Sequence, residues 1–481
     1  MAKKSITKNY FYNLTYQILI LVLPLITTPY LSRVLGAEGI GIYSYTYTIV
    51  TYFVLFGSLG VALYGQREIA YSQDNKEQRK KIFIELVIFR SITMAIAIFI
   101  YYMFFLRTGD YAVYYRILLF ELVAGAFDIS WFFQGIEEFK KTVTRNILVR
   151  VISVALIFVF VKTQADLIKY MYIYSIADLL GNLTLWVYLP KYFKGVKVKN
   201  INVIKQLPTI ILLFIPQIAN KLYNMLDTTM IGKLIADKTE TGYYEQSQKV
   251  IRLLLTIVTS LGIVMVPRMA NMFANGEKEK INEYMKKSFN FVYLLSFPIM
   301  LGLICVAKEF VPIFFGEGYE KAATLICIIS PIILLMGLAN VVGTQYLLPT
   351  KRQKEYTLSV TAGIVVNFIL NYILINLWAS VGACIATVLS QLVVDIMQFY
   401  NIRKEINIKE MLKLSYKYIF ASVIMFLVCT FTKIFISTGI QSIILEVIVG
   451  VIVYLGILIL LKDEYIYMFI NKIRKKVTER M

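Results

Sequence analysis

The sequence contains no histidine, and only 17% of its 481 residues are charged. The lack of histidine excludes imidazole proton relays and the commonest metal ligand. The four cysteines lie far apart within apolar runs, which is typical of packing residues rather than of a disulfide framework or a metal site. No G-x-x-x-x-G-K-[ST] segment occurs, which excludes ATP hydrolysis through a phosphate-binding loop. These absences argue against metal-dependent and ATP-driven chemistry.

Apolar residues, by contrast, make up 58% of the chain, whereas soluble domains have roughly half. They recur in runs of about 20 residues, the length at which a helix crosses the hydrocarbon core of a bilayer. The first run is too long for a signal-peptide core and has no A-x-A cleavage site, which predicts an uncleaved first span. Alternating β-barrel segments are absent. The sequence therefore predicts an all-α polytopic membrane protein.

Polar breaks divide these runs into about fourteen predicted transmembrane helices. Their expected ranges are 10–32, 40–65, 82–106, 112–136, 146–162, 167–190, 207–232, 240–267, 286–306, 320–348, 357–376, 381–401, 413–433 and 440–461. The connections between them are short, so no soluble catalytic domain is expected and the chain is not predicted to be an enzyme.

The formal net charge of +20 is unevenly distributed. Most Lys and Arg lie near the two ends and in alternate connections, such as 66–81 and 191–206. By the positive-inside rule this bias places both termini in the cytoplasm. The basic excess is thus a topology signal with some attraction to anionic lipid headgroups, and nucleic-acid binding is not expected.

Two halves of the chain resemble one another. The segment 31–50 matches 230–251, and 131–150 matches 346–367. Six spans per copy give a parallel repeat, with substrate expected between two six-helix lobes. The expected regions are an N-terminal lobe (1–200), a C-terminal lobe (201–405), and spans 13 and 14 with a basic tail (406–481). A loose alignment of two hydrophobic halves remains the alternative.

Several cations lie within predicted spans, where each costs roughly 2.5–3.5 kcal/mol if it faces lipid. Lys169 lies close to a span end and can extend its charge to the surface. The remaining cations within spans are Arg90, Arg116, Arg150, Lys221, Lys249 and Arg252. Two readings stay open. The cations line a water-filled cavity for an anionic substrate, or they form buried ion pairs with Glu121, Asp128, Asp178, Asp227, Asp395 and Glu446.

Four segments carry a resemblance to a known family: SRVLGAEGIGIYSY, DISWFFQGIEEFKKTVTRN, LDTTMIGKL and ETGYYEQSQK. Together they resemble polysaccharide flippases of the multidrug/oligosaccharidyl-lipid/polysaccharide exporter superfamily, which include O-antigen, capsule and teichuronic-type repeat-unit flippases. The resemblance implies movement of an undecaprenyl-diphosphate-linked oligosaccharide from the cytoplasmic to the outer leaflet by alternating access. A lipid II-type flippase is the alternative within the family. Polysaccharide polymerase machinery is an expected partner.

The resemblance also implies roles for particular residues. The expected substrate-binding residues are Arg33, Arg90, Arg116, Arg150, Lys221, Lys249 and Arg252. Spans 13 and 14 are expected to form an apolar groove for the lipid tail, although Glu446 interrupts the second. The expected ion-coupling residues are Asp227, Asn367, Asn371 and Thr387, whose oxygens suit sodium.

The coupling ion is open at this stage, because Asn371 stands where the family has an acid. A proton, or a salt bridge between Lys221 and Asp227, is the alternative to sodium, and no other cofactor is expected. Three rival functions are a twelve-span multidrug exporter, a lipid-linked polymerase or ligase, and a scaffold. The cationic lining disfavours a multidrug exporter. The short outer connections disfavour a polymerase or ligase, and the intramembrane charge disfavours a scaffold.

Overall fold

The computed structural model describes residues 6–107, 109–434 and 439–467, and this part of the chain is helical without β-strands. Within these ranges, ten helical stretches are long and apolar enough to cross a membrane. The chain is therefore an all-helical multi-pass membrane protein, as the sequence predicted. The helices are α1 (Ile6–Ser58), α2 (Val61–Tyr71), α3 (Lys76–Tyr101), α4 (Ala112–Phe127), α5 (Ser130–Gly135), α6 (Phe139–Phe160), α7 (Leu167–Trp186), α8 (Pro190–Phe193), α9 (Leu207–Leu234), α10 (Thr239–Thr259), α11 (Leu261–Ala274), α12 (Lys278–Phe315), α13 (Glu320–Ile329), α14 (Ile332–Ala339), α15 (Gln353–Ile402), α16 (Ile408–Lys413), α17 (Tyr416–Thr432) and α18 (Ile440–Leu460).

Two of these helices are far longer than one membrane crossing. Helix α1 has 53 residues and α15 has 50, whereas about 20 residues cross the hydrocarbon core. Each contains a backbone break: Gly36 in α1 has φ +68°, and Ala379 in α15 has φ +49°. Both breaks fall between predicted spans, so tight turns stand where the sequence suggested short loops. The total of fourteen spans stays a prediction.

The chain divides into two compact units. The first comprises Met1–Gly232 with Asp237–Gly242, and the second Lys233–Ala236 with Tyr243–Met481. In the first unit α4 packs along α7, and α1 packs on α3, α4 and α6. In the second, α12 packs against α13, α14 and α17. The predicted boundaries at residues 200 and 405 remain expectations.

Two glycines of the matched segments make a reciprocal contact within the first unit. A Cβ added to Gly41 would lie 1.8 Å from the carbonyl oxygen of Lys238, and one added to Gly242 would lie 2.0 Å from that of Ala37. The Lys238 ammonium also donates to the carbonyl of Gly232 at 2.7 Å. Glycine is required at both positions because the two backbones approach too closely for a side chain.

We expect Gly41→Ala to lower the free energy of unfolding by about 1–3 kcal/mol, the usual cost of overpacking. The clashing atom belongs to the backbone and cannot rotate away. Gly302→Ala is the matched control, because its methyl group would meet Met425 at 3.9 Å, an ordinary contact. Thermal unfolding of both purified variants measures the difference, and equal midpoints would contradict the close approach.

Candidate functional site

A break in the fourth predicted span creates polar surroundings inside the first unit. Helix α4 ends at Phe127 and α5 begins at Ser130. Side chains of α7 bind the carbonyls at the end of α4: Asn182 Nδ2 donates to Ala124 at 2.7 Å, and Trp186 Nε1 donates to Phe127 at 2.8 Å. Irregular backbone at membrane depth requires such partners, because lipid offers none. The break is therefore supported by neighbouring side chains.

A polar cleft of about 180 Å³ lies beside this break, and it contains two carboxylates and two guanidinium groups. The lining residues are Asp128, Ser130, Arg145, Asn146, Val149, Arg150, Asp178 and Asn182. They come from the α4–α5 break, α6 and α7. Val149 is the one apolar residue among them. A cleft with this lining suits a ligand that carries both anionic and hydroxyl groups.

Arg90 on α3 approaches the cleft through Asp128. Its side chain is 5% exposed, and its Nη2 lies 3.7 Å from Asp128 Oδ2. Among the described residues, no group accepts a hydrogen bond from its Nε or Nη1. Asp128 also accepts a hydrogen bond from the backbone N–H of Ser130 at 2.9 Å. This buried guanidinium therefore has one loose ion pair beside the cleft and two nitrogen atoms without a described acceptor.

Arg150 is held by aromatic rings. It donates a hydrogen bond to the hydroxyl of Tyr174, and its guanidinium lies 4.9 Å from the centre of that ring. Tyr47 packs edge-on against Tyr174 at 6.2 Å, and Tyr43 packs edge-on against Tyr170 at 4.8 Å. Stacking on aromatic faces orients a guanidinium while leaving its planar fork available. The structure thus brings the two predicted residues Arg90 and Arg150 to one polar region.

Sequence reasoning missed Arg145. Its Nη1 donates to Asn182 Oδ1 at 2.8 Å, and it lines the cleft beside Arg150. The predicted fifth span begins at residue 146, which left Arg145 outside the membrane, whereas α6 begins at Phe139. Asn182 is a polar amide in an otherwise apolar span. This residue was the sequence signal that could have indicated a polar site near Arg145.

Other predicted residues of the first unit do not line this cleft. Arg33 and Lys221 are exposed. Arg116 is also exposed, and its Nε donates to the carbonyl of Leu106 at 3.3 Å, which caps the turn after α3. Of the predicted substrate-binding cations in the first unit, Arg150 lines the cleft and Arg90 lies beside it, whereas Arg33, Arg116 and Lys221 lie elsewhere.

Asp227 is buried on α9, while Lys221 on the same helix is exposed. Six residues of helix turn a side chain by about 240°, so the two side chains point from different faces. This geometry disfavours the salt bridge between Lys221 and Asp227 that the sequence left open.

In the second unit, Lys249 and Arg252 lie on one face of α10. The Nη2 of Arg252 is 2.5 Å from Glu245 Oε1, and the arginine side chain is 47% exposed. Lys249 is half-buried and lies one turn from Glu245 on the same face. Arg252 therefore already has an ion-pair partner on its own helix.

The remaining predicted ion-coupling residues are buried in the second unit. Asn371 Nδ2 donates to Asn367 Oδ1 at 3.0 Å along α15. Thr387 Oγ1 donates to the carbonyl of Ala383 at 2.8 Å. The hydroxyl oxygen of Tyr244 lies 3.5 Å from Thr387 Oγ1. Among the described residues, no three His, Cys, Asp or Glu side chains gather as metal ligands do. Any cation here would depend on amide and hydroxyl oxygens.

An apolar groove of about 480 Å³ runs between α12, α17 and α18 of the second unit. Glu446, which interrupts the last predicted span, lies in its wall and is 2% exposed. Its Oε2 is 3.7 Å from Lys433 Nζ, which also lies 2.7 Å from Glu309 Oε2. Glu446 is thus a paired structural charge.

Comparison with known proteins adds independent information. A family model described as "Polysaccharide biosynthesis protein" matches residues 6–273, and one described as "MatE" matches residues 213–373. A protein of Escherichia coli K12 named as an O-antigen transporter is 27% identical over 407 residues, which cover 83% of this chain and 97% of the relative. The lipid II flippase of Bacillus subtilis is 23% identical over 198 residues, 39% of this chain and 36% of the relative.

Two solved structures have similar folds. A lipid II flippase in an inward closed conformation matches with a TM-score of 0.74 and 16% identity, covering 95% of this chain and all of that chain. An inward-facing multidrug transporter of the same superfamily matches with a TM-score of 0.63 and 12% identity, covering 84% of this chain and 99% of that one.

Proposed function

Because the chain belongs to the polysaccharide biosynthesis protein family, we propose that it is a flippase for a lipid-linked saccharide. The substrate is an undecaprenyl-diphosphate-linked oligosaccharide repeat unit, which moves from the cytoplasmic to the outer leaflet of a bacterial inner membrane by alternating access. The names of its relatives, an O-antigen transporter and a lipid II flippase, support this class of substrate.

The polar cleft is the observation that carries the proposal. A diphosphate requires cations, and Arg90, Arg145 and Arg150 supply guanidinium groups that bind phosphate through paired hydrogen bonds. A sugar presents hydroxyl groups, and the carboxylates of Asp128 and Asp178 accept hydrogen bonds from hydroxyls. A pocket for cationic drugs would need carboxylates that are not offset by cations, whereas Asp128 and Asp178 here lie among arginines, so the cleft favours a saccharide flippase over a multidrug exporter.

The finer architecture belongs to the same proposal. Fourteen helices form two six-helix lobes related by a parallel repeat, followed by two further helices, and both termini lie in the cytoplasm. The similarity of the segments 31–50 and 230–251 supports the repeat. Lys221, Lys249, Arg252, Arg33 and Arg116 remain proposed contacts for the headgroup along its path.

The groove between α12, α17 and α18 is proposed to hold the long hydrocarbon tail. Its lining is apolar apart from Glu446, which Lys433 neutralises. An apolar lining holds a hydrocarbon tail without placing it against polar side chains. Polysaccharide polymerase machinery is the proposed recipient of the flipped unit.

Coupling of transport to sodium or protons is proposed for four residues: Asp227, Asn367, Asn371 and Thr387.

We expect reconstituted vesicles to flip the undecaprenyl-diphosphate saccharide that accumulates in cells depleted of the protein. A sodium or proton gradient should accelerate flipping by the wild type, and Asp227→Asn should remove this acceleration. Asp110→Asn, on an exposed turn, is the matched control. Vesicles that never flip the saccharide would refute the function, and a gradient that has no effect would refute ion coupling alone.

A further inference from the structure

A second, larger groove lies on the first unit between α6 and α7. Its volume is about 820 Å³. The lining residues are Lys140, Lys141, Thr144, Arg145, Leu148, Val149, Ile152 and Leu156 from α6, and Tyr172, Ile173, Ile176, Ala177, Leu180, Gly181, Thr184 and Tyr188 from α7 and the residues after it. The two helices pack closely at its floor, since a Cβ on Gly181 would lie 2.6 Å from Val149 Cγ2.

The groove is apolar at one end and basic at the other. Leu148, Ile152 and Leu180 are each more than half exposed along its walls. Every charged residue of the lining is a cation and lies in the first two turns of α6. The groove therefore has the polarity of a lipid molecule, with a place for a hydrocarbon chain and a place for an anionic headgroup.

Its length fits one leaflet. The apolar wall of α6 runs from Leu148 to Leu156, eight residues and so about 12 Å along the helix axis, against about 15 Å for half of the hydrocarbon core. Tyr188 stands at the basic end, where its ring lies 4.9 Å from the Lys141 ammonium, as tyrosines do at membrane interfaces. The positive-inside rule predicts that this end faces the cytoplasm.

We propose that the α6–α7 groove binds an anionic glycerophospholipid of the cytoplasmic leaflet, with its phosphate at Lys140 and one acyl chain along Leu148 and Leu180. Lys140 is exposed and free to turn toward a headgroup, whereas Lys141 lies 3.7 Å from Glu138. Arg145 lines both this groove and the polar cleft, so the bound headgroup would lie beside the cleft. The two sites share Arg145, but Lys140 and the apolar walls at Leu148 and Leu180 line the groove alone, and the proposal does not rest on the proposed transport function.

The test uses the full-length protein in phosphatidylcholine nanodiscs titrated with phosphatidylglycerol, with bound lipid counted by native mass spectrometry. We expect phosphatidylglycerol to be preferred. Lys140→Gln should weaken its binding about fivefold, since one surface cation contributes about 1 kcal/mol to anionic lipid binding, and should leave phosphatidylcholine binding unchanged. Lys140→Arg should restore the preference. Lys280→Gln removes an exposed cation that pairs with Glu277 and lies outside the groove, and it should have no effect.

Filling the groove tests the acyl chain separately. Leu148→Trp combined with Leu180→Trp should remove the bound phosphatidylglycerol, whereas Leu212→Trp, on the exposed face of α9, should not. Equal binding of the two phospholipids, or full binding by the filled variant, would overturn the proposal. Displacement of phosphatidylglycerol by undecaprenyl diphosphate, weakened by Lys140→Gln, would also overturn it by assigning the groove to the transported lipid.

Discussion

Replacing Asp128 with asparagine is expected to lower the free energy of unfolding by about 3–5 kcal/mol, the cost of leaving a buried charge without its partner. Arg90 is 5% exposed and pairs with Asp128 at 3.7 Å. Asparagine keeps the size of the side chain and still accepts the hydrogen bond from the Ser130 N–H. The change therefore removes charge and little else.

A second substitution separates stability from transport. Arg90→Met added to Asp128→Asn removes both charges, so most of the lost stability should return. Flipping should still be impaired, because the double variant lacks one of the three guanidinium groups proposed to bind the diphosphate. Glu277→Gln, which breaks the exposed pair with Lys280, is the control and should change stability by less than about 1 kcal/mol. Unfolding in mixed micelles measures all four proteins. An Asp128→Asn variant as stable as the wild type would show that Arg90 does not depend on this carboxylate.

Replacing Arg150 with glutamine should weaken binding of the diphosphate headgroup by about 1.5–3 kcal/mol, the contribution of a hydrogen bond to a charged group. That corresponds to a loss of affinity of roughly ten- to a hundredfold. Arg150→Lys should recover part of the loss, because an ammonium keeps the charge but lacks the planar fork that stacks on Tyr174. Binding of the purified variants to undecaprenyl diphosphate measures the effect.

The same variant should alter the response of transport to membrane potential. One elementary charge that crosses the field contributes roughly 2.3 kcal/mol per 100 mV. If the cleft moves across the field, loss of one cation reduces the voltage dependence of flipping in vesicles held at fixed potentials. Lys280→Gln is the matched control, because this exposed lysine lies outside the cleft. Unchanged binding and unchanged voltage dependence in Arg150→Gln would make the arginine a structural residue and would refute the cleft as the headgroup site.

Two of the three arginines in or beside the cleft could be identified from sequence because charge in an apolar span is costly. Arg90 and Arg150 interrupt long apolar runs, and each such cation requires a partner or water. Arg145 could not be identified in this way, because a predicted span end that errs by a few residues moves a cation across the membrane boundary. The two partners of Asn182 could not be identified from sequence either, because both are distant in the chain.

The sequence by itself determined that the protein is helical, crosses the membrane many times and resembles polysaccharide flippases. These properties follow from the length of apolar runs and from local motifs, which do not depend on distant contacts. The tertiary structure decided which charges meet. The break between α4 and α5 turns Asp128 toward Arg90, and the packing of α6 on α7 sets Arg145 against Asn182. Lys221 and Arg252 satisfied the same sequence criterion, yet both are exposed. The hydropathy pattern predicts how far along a span a charged residue lies. The direction in which its side chain points depends on how each helix rotates and packs against its neighbours.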